Sequence, residues 1–357
     1  MTSLPTAGES LAERLRGLVR EGIACRMFPA AVAYVSQGGR VIFHEAFGTL
    51  TYQPYSRATR LDDLFDLASL TKVFTTAVAL RLVARGALAL DHPLTGLLPE
   101  LSRPWSLADL LSHRTGATAN LLGEAIRAGI EPCQPGQEVA LWRVILHSEP
   151  AVALRPGESH YSDIDFLLVQ AACERALGKR LDELLAAEVC RPLGLEETRF
   201  CPPEAERCVP TEVDERWRGG LVRGQVHDEM AATLGGVAGH AGLFSTARDV
   251  GRFCEAWLGQ GPPLLPDELR RAALEPHSRD FGLGWRLCNE SFFPELAAHG
   301  AVGHLGFTGT SAFLFPRRGL VFVLLTNRVY PSRDAAPSRL PLLGRMAKAI
   351  LEGTEPA

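Results

Sequence analysis

The segment Asp66-Leu-Ala-Ser69-Leu-Thr-Lys72 sets a hydroxyl and an amine three positions apart. On a helix, that spacing puts both side chains on one face, close enough to touch. The pairing has a chemical use. A serine hydroxyl is a poor nucleophile until a base takes its proton, and a desolvated lysine with a lowered pKa can take it. A helix N-terminus at Ser69 also favours the negative charge that develops as the hydroxyl attacks. Serine-x-x-lysine arises often by chance. The bland alternative makes Ser69 an N-cap and Lys72 a solvated lysine. What lifts the motif above that is its place, at the junction of a short apolar run and a long apolar helix.

That helix is predicted over 70–85. Val73, Phe74, Ala77, Val78, Leu80 and Leu82 surround much of its circumference, so it lies at the centre of the fold, and Gly86 stops it. Upstream, 10–23 has helical spacing, with Leu11, Leu15, Leu18 and Val19 on one stripe. Two β-rich runs follow at 31–36 and 41–47. Gly38 and Gly39 between them supply the positive φ of a tight hairpin. Ser106 and Asp109 form a capping box for a short helix ending near His113, and 166–177 and 181–189 are further helices. The stretch 200–228 is polar, with Pro202, Pro203, Pro210, Gly219, Gly220 and Gly224. It reads as a long loop bordering a site and shaping its pocket. A helix over 245–258, capped by Ser245 or Thr246, leads to strands at 281–288, 311–315 and 320–326, and a helix at 340–351 closes the chain.

Strands at both ends and helices between them give an α+β fold of three-layer α/β/α type. One antiparallel sheet is flanked by helices, with a mainly helical lobe inserted. Residues 1–74 with 230–357 make the sheet lobe and 75–229 the helical lobe, with the site in the cleft between them.

Composition narrows the functions available. The 357 residues carry a formal net charge of -4 with 46% hydrophobic content, which excludes disorder as the main state. No long Lys/Arg run exists to track nucleic acid. No apolar run reaches the roughly 18 residues needed to span a bilayer. The polar start, residues 1–12, has no apolar h-region, which points to the cytoplasm. None of the eight cysteines forms C-x-x-C, so zinc and thioredoxin readings lack their spacing. Cys201 and Cys208 could bridge in an oxidising compartment; free thiols are the expectation for a chain this long.

Two further stretches join the serine. One is Pro156-Gly-Glu-Ser-His-Tyr161-Ser-Asp163, leading into the helix at 166. The other is Gly303-His304-Leu-Gly306. In this order the three boxes resemble the penicillin-recognising serine hydrolases of the class C β-lactamase type. That group spans D-Ala-D-Ala carboxypeptidases, class C β-lactamases and related esterases. The likeness covers roughly residues 20–352. It implies that Tyr161 stands against Ser69 and Lys72, shares the base role and later protonates the leaving group. A tyrosine beside a buried lysine can have a lowered pKa that suits it to this. The familiar Tyr-x-Asn is Tyr-x-Asp here. Asp163 can accept from Lys72 and would raise its pKa, but when ionised it cannot donate to a substrate carbonyl. In the third box His304 replaces the family's cation and Leu305 its hydroxyl residue, while small Gly306 lets substrate approach. The Phe307 N–H would then pair with the Ser69 N–H as an oxyanion hole. Phe307-Thr308-Gly309 also contains Thr-Gly but has no cation at its first position.

Leu110-Leu-Ser-His113-Arg114-Thr-Gly116 also has the family's look, and His113 and Arg114 read as structural. His227, Asp228 and His240 hint at a metal, but their spacing fits no standard ligand motif and loop-organising hydrogen bonds are expected. No metal and no cofactor are expected. The function expected is hydrolysis through an acyl-serine. The substrate is a small ester or amide, with D-amino-acid peptides and β-lactams ranked lower for want of an export signal. The alternative is a silent binding or scaffold protein on the same fold. An α/β-hydrolase is set aside, because no serine has glycine at both −2 and +2.

Overall fold

Apolar runs at the two ends of the chain pair with each other and make the centre of the sheet. Ala30–Gln37 lies antiparallel to Leu320–Thr326, with Ala31 opposite Thr326 and Gln37 opposite Leu320. The six-stranded order is Arg40–Gly48, Ala30–Gln37, Leu320–Thr326, Ser311–Phe315, Val302–Leu305, Arg286–Leu287, and every pairing is antiparallel. The hairpin turns at Gly38 and Gly39, both with positive φ. The computed structural model describes residues 10–334 and 337–355; the first nine residues of the polar start lie outside the described residues.

Both faces of the sheet are covered, which is why its central strands are apolar in nearly every position. Ala31, Ala33 and Val35 face one way, onto Leu15 and Val19 of the helix Leu11–Ala24 and Leu343 and Met346 of the helix Leu340–Gly353. Ala30, Val32 and Tyr34 face the other way, into a core that continues through Phe74 and Val78 to Leu107, Ile145 and Leu168. On that side the helix Ala247–Trp257, capped by Thr246, lies on the sheet. A Cβ on its Gly251 would stand 2.3 Å from the Tyr34 ring. The central helix Thr71–Ala84 packs on it, with Phe74 and Phe253 stacked at 3.8 Å between centroids.

Some sequence expectations move by a turn. The helix expected from 166 begins at Asp163, because the Ser162 hydroxyl accepts the Ile164 N–H and caps it there. The strand expected over 281–288 is only Arg286–Leu287. Gly284, at φ +76, bends the chain toward the central helix, where a Cβ would stand 2.0 Å from Thr76 Oγ1. The strand Val302–Leu305, with His304 opposite Ala312, lies where glycines obscure the pattern. The loop 200–228 carries a small hairpin, Val213–Asp214 with Gly220–Leu221. All eight cysteines are free, Cys201 exposed and Cys208 buried. No helix among the described residues is long and apolar enough to cross a membrane.

The run into Ser69 is fixed from two sides. Phe65–Asp66 pairs with Leu243–Ser245, which pairs with Arg199–Phe200. From the other side, the Thr308 hydroxyl donates to Asp66 O at 2.7 Å and the Thr310 hydroxyl to Leu67 O at 2.8 Å. Gly306 sits in the gap, where a Cβ would stand 2.4 Å from Leu67 O and 2.0 Å from Thr310 Oγ1. Gly306→Ala should therefore cost about 1–3 kcal/mol, the usual range for overpacking. The measurement is the urea midpoint of the folded variant; an unchanged midpoint would contradict the close approach.

Candidate active site

Ser69 stands in a tight turn, Ala68–Leu70, that leads into the central helix. Ala68 has φ +47, a strained value for a side-chain-bearing residue. The Asp66 carboxylate holds it there. One oxygen accepts the Ala68 N–H at 2.8 Å and the other the His227 N–H at 2.6 Å. Burial raises the Asp66 pKa, and these two N–H groups act against that rise.

Lys72 follows one turn on and has no exposed surface. Its ammonium donates to Ser69 Oγ at 3.1 Å and to His240 O at 3.1 Å, and pairs with Asp163 Oδ1 at 2.7 Å. Asp163 is the first residue of the helix Asp163–Leu177, where a carboxylate also faces the positive helix end. The His240 carbonyl is held by its neighbours. Thr75 Oγ1 donates to Gly239 O, and the Gly239 N–H donates to Gln170 Oε1.

The charges correct two expectations. Burial works to lower the Lys72 pKa, but the Asp163 charge and then Tyr161 outweigh it, and the net shift is upward. Lys72 is thus held as an ammonium and is not the lowered-pKa amine expected from its burial alone. Tyr161 is also raised, first by burial and then by Asp163, with Lys72 pulling the other way. Tyr161 is 36% exposed, and solvent tempers the burial contribution. Ser69 and Lys72 both act to lower its pKa, and the Lys72 ammonium lies 4.9 Å from its ring centroid.

The Ser69 and Phe307 N–H groups donate to no partner among the described residues. Two such donors can hold an oxyanion. In the competing register of the third box, Thr308 is buried and donates its hydroxyl to Asp66 O. His304 does not supply a cation. It is buried, and desolvation followed by the Lys72 charge pushes its pKa well below the ordinary value. It stays neutral, with Nδ1 against Leu305 O at 3.1 Å.

Cations come from arginines that carry no spacing signal. Ser69 opens on a cavity of about 490 Å³ lined by Tyr161, Leu305, Phe307, Arg328 and Arg339, with no acidic residue in its lining. Arg328 donates to Phe307 O, and Arg339 to the carbonyls of Gly306 and Thr310. Burial and the neighbouring Arg328 charge push Arg339 down to about 9, still charged at neutral pH. A smaller cavity of about 150 Å³ beside Tyr161 is lined by Arg286, stacked 4.4 Å from the Phe292 centroid, with His304 and Phe281. Burial also lowers Arg286 and Arg328. No residue of the loop 200–228 expected to shape the pocket is in either lining; its His227 N–H reaches Asp66 and its Asp228 reaches His240. Asp163, Asp228 and His240 present ligand atoms within 4.8 Å of one another. The cation they already face is Lys72. Asp228 also binds His240 Nε2 at 3.0 Å and caps the helix Glu229–Thr233.

The Beta-lactamase family model matches residues 15–343. An N-acetylmuramyl-L-alanine amidase of Bacillus subtilis (strain 168) is 30% identical over 347 residues, covering 84% of this chain and 77% of that protein. Among solved structures, EstCE1, a hydrolase with promiscuous acyltransferase activity, superposes with a TM-score of 0.76 at 22% identity, covering 95% of this chain and 98% of its own. A class C beta lactamase from Rhodobacter sphaeroides gives 0.71 at 21% identity, covering 95% and 100%. At these identities the two structures speak to the fold.

Asp163 raises both Lys72 and Tyr161, in one case by favouring a cation and in the other by disfavouring a phenolate. Asp163→Asn removes both effects. Whichever of the two must lose a proton, the limb on which activity rises with pH should move to lower pH. A pH profile of kcat/KM on an activated ester checks this, and an unmoved limb would contradict it.

Proposed function

The chain belongs to the beta-lactamase family and is a serine hydrolase, and on that premise we propose that Ser69 is its nucleophile. Lys72 and Tyr161 manage the proton, and the Ser69 and Phe307 amides hold the oxyanion. The observation that carries this reading is the buried Lys72 ammonium, bonded at once to the Ser69 hydroxyl and the Asp163 carboxylate. The residues concerned come from both lobes of the proposed division, 1–74 with 230–357 on one side and 75–229 on the other.

In this reading Ser69 Oγ attacks the substrate carbonyl carbon. Its proton passes to the Tyr161 oxygen after Tyr161 has released its own proton to solvent, and the Lys72 ammonium stabilises that ionised form against the upward push of burial and Asp163. Charge builds on the carbonyl oxygen against the two amides, where losing one donor typically costs about 10²–10³ in rate. The bond to the leaving oxygen or nitrogen breaks as Tyr161 returns the proton to that atom. Water then attacks the acyl-serine by the same route, releases the acid and restores Ser69.

Two features bear on the substrate. Paired with Lys72, the Asp163 carboxylate accepts and does not donate, so an acyl-side carbonyl loses the amide donor that asparagine offers. That supports ester turnover over amide turnover by this site. The cationic lining formed by Arg328 and Arg339, with Arg286 next door, supports an ester or amide that carries a carboxylate. The amidase relative keeps an amino-acid amide as the second reading.

A fluorophosphonate should label the wild type and not Ser69→Ala. Folded protein that neither takes the label nor turns over any ester would end the hydrolase assignment to this serine. On a panel of paired esters, Arg328→Ala should raise KM about 10-fold or more for the carboxylate-bearing member and little for the neutral one, the scale of one charge-assisted hydrogen bond. Equal effects on both would remove the anion argument.

A further inference from the structure

His113 is a fully buried histidine that the proton path above does not use. It grips the chain on both sides of Tyr161. Its carbonyl accepts the His160 N–H at 2.8 Å, and its ring Nδ1 faces the Ser162 N–H at 3.3 Å. Its ring packs against the Tyr161 ring itself, 4.7 Å between centroids at 43°. Phe281 closes the cage edge-on at 4.7 Å, and Phe166 lies at 5.3 Å.

The grip is built, not incidental. His113 has φ +56, a left-handed value that a residue of this bulk adopts only when its surroundings impose it. Asp165 Oδ2 lies 2.8 Å from Nδ1, and Thr115 Oγ1 donates to Asp165 Oδ1 at 2.5 Å. Asp165 sits in the first turn of the helix that Asp163 opens and is itself fully buried. Burial, then the Lys72 charge, pushes His113 down to about 3, while burial raises Asp165 well above the ordinary carboxylate range. Both shifts push the two groups toward their uncharged forms. The titratable groups in contact with the His113 ring are Asp165 and Tyr161, and Lys72, Asp163, His160 and Arg286 act on it by charge.

We propose that His113, locked by Asp165 and Thr115, is the positioning residue for Tyr161: it sets where the Tyr161 hydroxyl stands relative to Ser69 and Lys72. The inference rests on the reading of Tyr161 as proton carrier. The pair, with Thr115 on the second Asp165 oxygen, fixes the ring that packs on Tyr161. The tyrosine's own stretch is short and its flanking residues His160 and Ser162 are loop.

The test is a mutant cycle with an activated ester, reading kcat, KM, fluorophosphonate labelling rate and melting temperature. His113→Phe keeps a ring and loses Nδ1. It should lower kcat by about 10²-fold, the scale of an ångström of misplacement, with KM within about 3-fold. His113→Asn tolerates the left-handed backbone and offers an acceptor for the Ser162 N–H, so it should recover at least about 10-fold of that loss. Combined with Tyr161→Phe, the His113 change should cost nothing further, because its effect runs through Tyr161. Full additivity in the double variant, or a loss confined to KM, would overturn the proposal. If His113→Phe fails to fold, Asp165→Asn takes its place in the cycle with the same expectation of non-additivity. A Tyr161→Phe variant with undiminished kcat instead sinks the reading of Tyr161, and is told apart because it fails before His113 is touched.

Discussion

A primary ammonium with no contact with water sits where the sheet side and the helical side of this molecule meet. Burying such a charge is costly unless it is paired and fully hydrogen-bonded. Lys72 meets that demand with ligands from three distant parts of the chain: Ser69, Asp163 and the carbonyl of His240. Each ligand must then be held in turn. Asp163 is fixed by opening a helix whose cap is Ser162. The His240 carbonyl is fixed by a backbone segment that comes so close to that helix that a Cβ on Gly239 would stand 2.2 Å from Phe166 O. One buried charge thus dictates the mutual placement of a turn, a helix end and a glycine-rich strap.

The same charge orders the electrostatics around it. It pushes His304 and His113 toward neutrality and draws Tyr161 toward ionisation. Asp163 opposes it and keeps it protonated. The outcome is a cluster in which one group is firmly cationic, two imidazoles are neutral, and the phenol is the member with room to move a proton. A base chosen by burial alone would have been the lysine. The ion pair with Asp163 argues against that choice.

Legibility in the sequence follows the range of the interaction. Ser69 and Lys72 are three residues apart, so helix spacing alone brought them together. The hairpin at Gly38 and Gly39, the capping box at Ser106 and the helix over Leu340–Gly353 are equally local. Tyr161, Asp163, His304, Gly306 and Phe307 could be named only by likeness to a family, because nothing in their own neighbourhoods points at Ser69. The upward push on Lys72 was legible only through that likeness: its burial, read from the helix, pointed downward, and its counter-ion Asp163 lies 91 positions away in the numbering. Val302–Leu305 escaped pattern reading because Gly300, Gly303 and Gly306, needed for close approach, interrupt the alternation that marks a strand. Arg286, Arg328 and Arg339 gave no signal at all. They are three among 37 basic residues, and only their shared cavities set them apart.

That contrast separates the chemistry from the choice of substrate. Ser69, Lys72 and Asp163 sit on the central helix and a helix end, locked by a charge that cannot be left unpaired, so their geometry tolerates little change. The strand facing them has given up its own polar contribution: His304 is neutral and Leu305 has no hydroxyl. The positive potential of the cleft has moved outward, to guanidiniums on the short strand at 286, the end of a strand at 328 and the start of the last helix at 339. Among the described residues Arg328 and Arg339 donate to backbone carbonyls and to no carboxylate, so a substrate anion would not have to displace an ion pair. A fixed centre and an adjustable cationic rim let one proton-transfer cluster serve different acids. On this molecule, specificity is therefore to be sought at the rim, in residues that no motif announces.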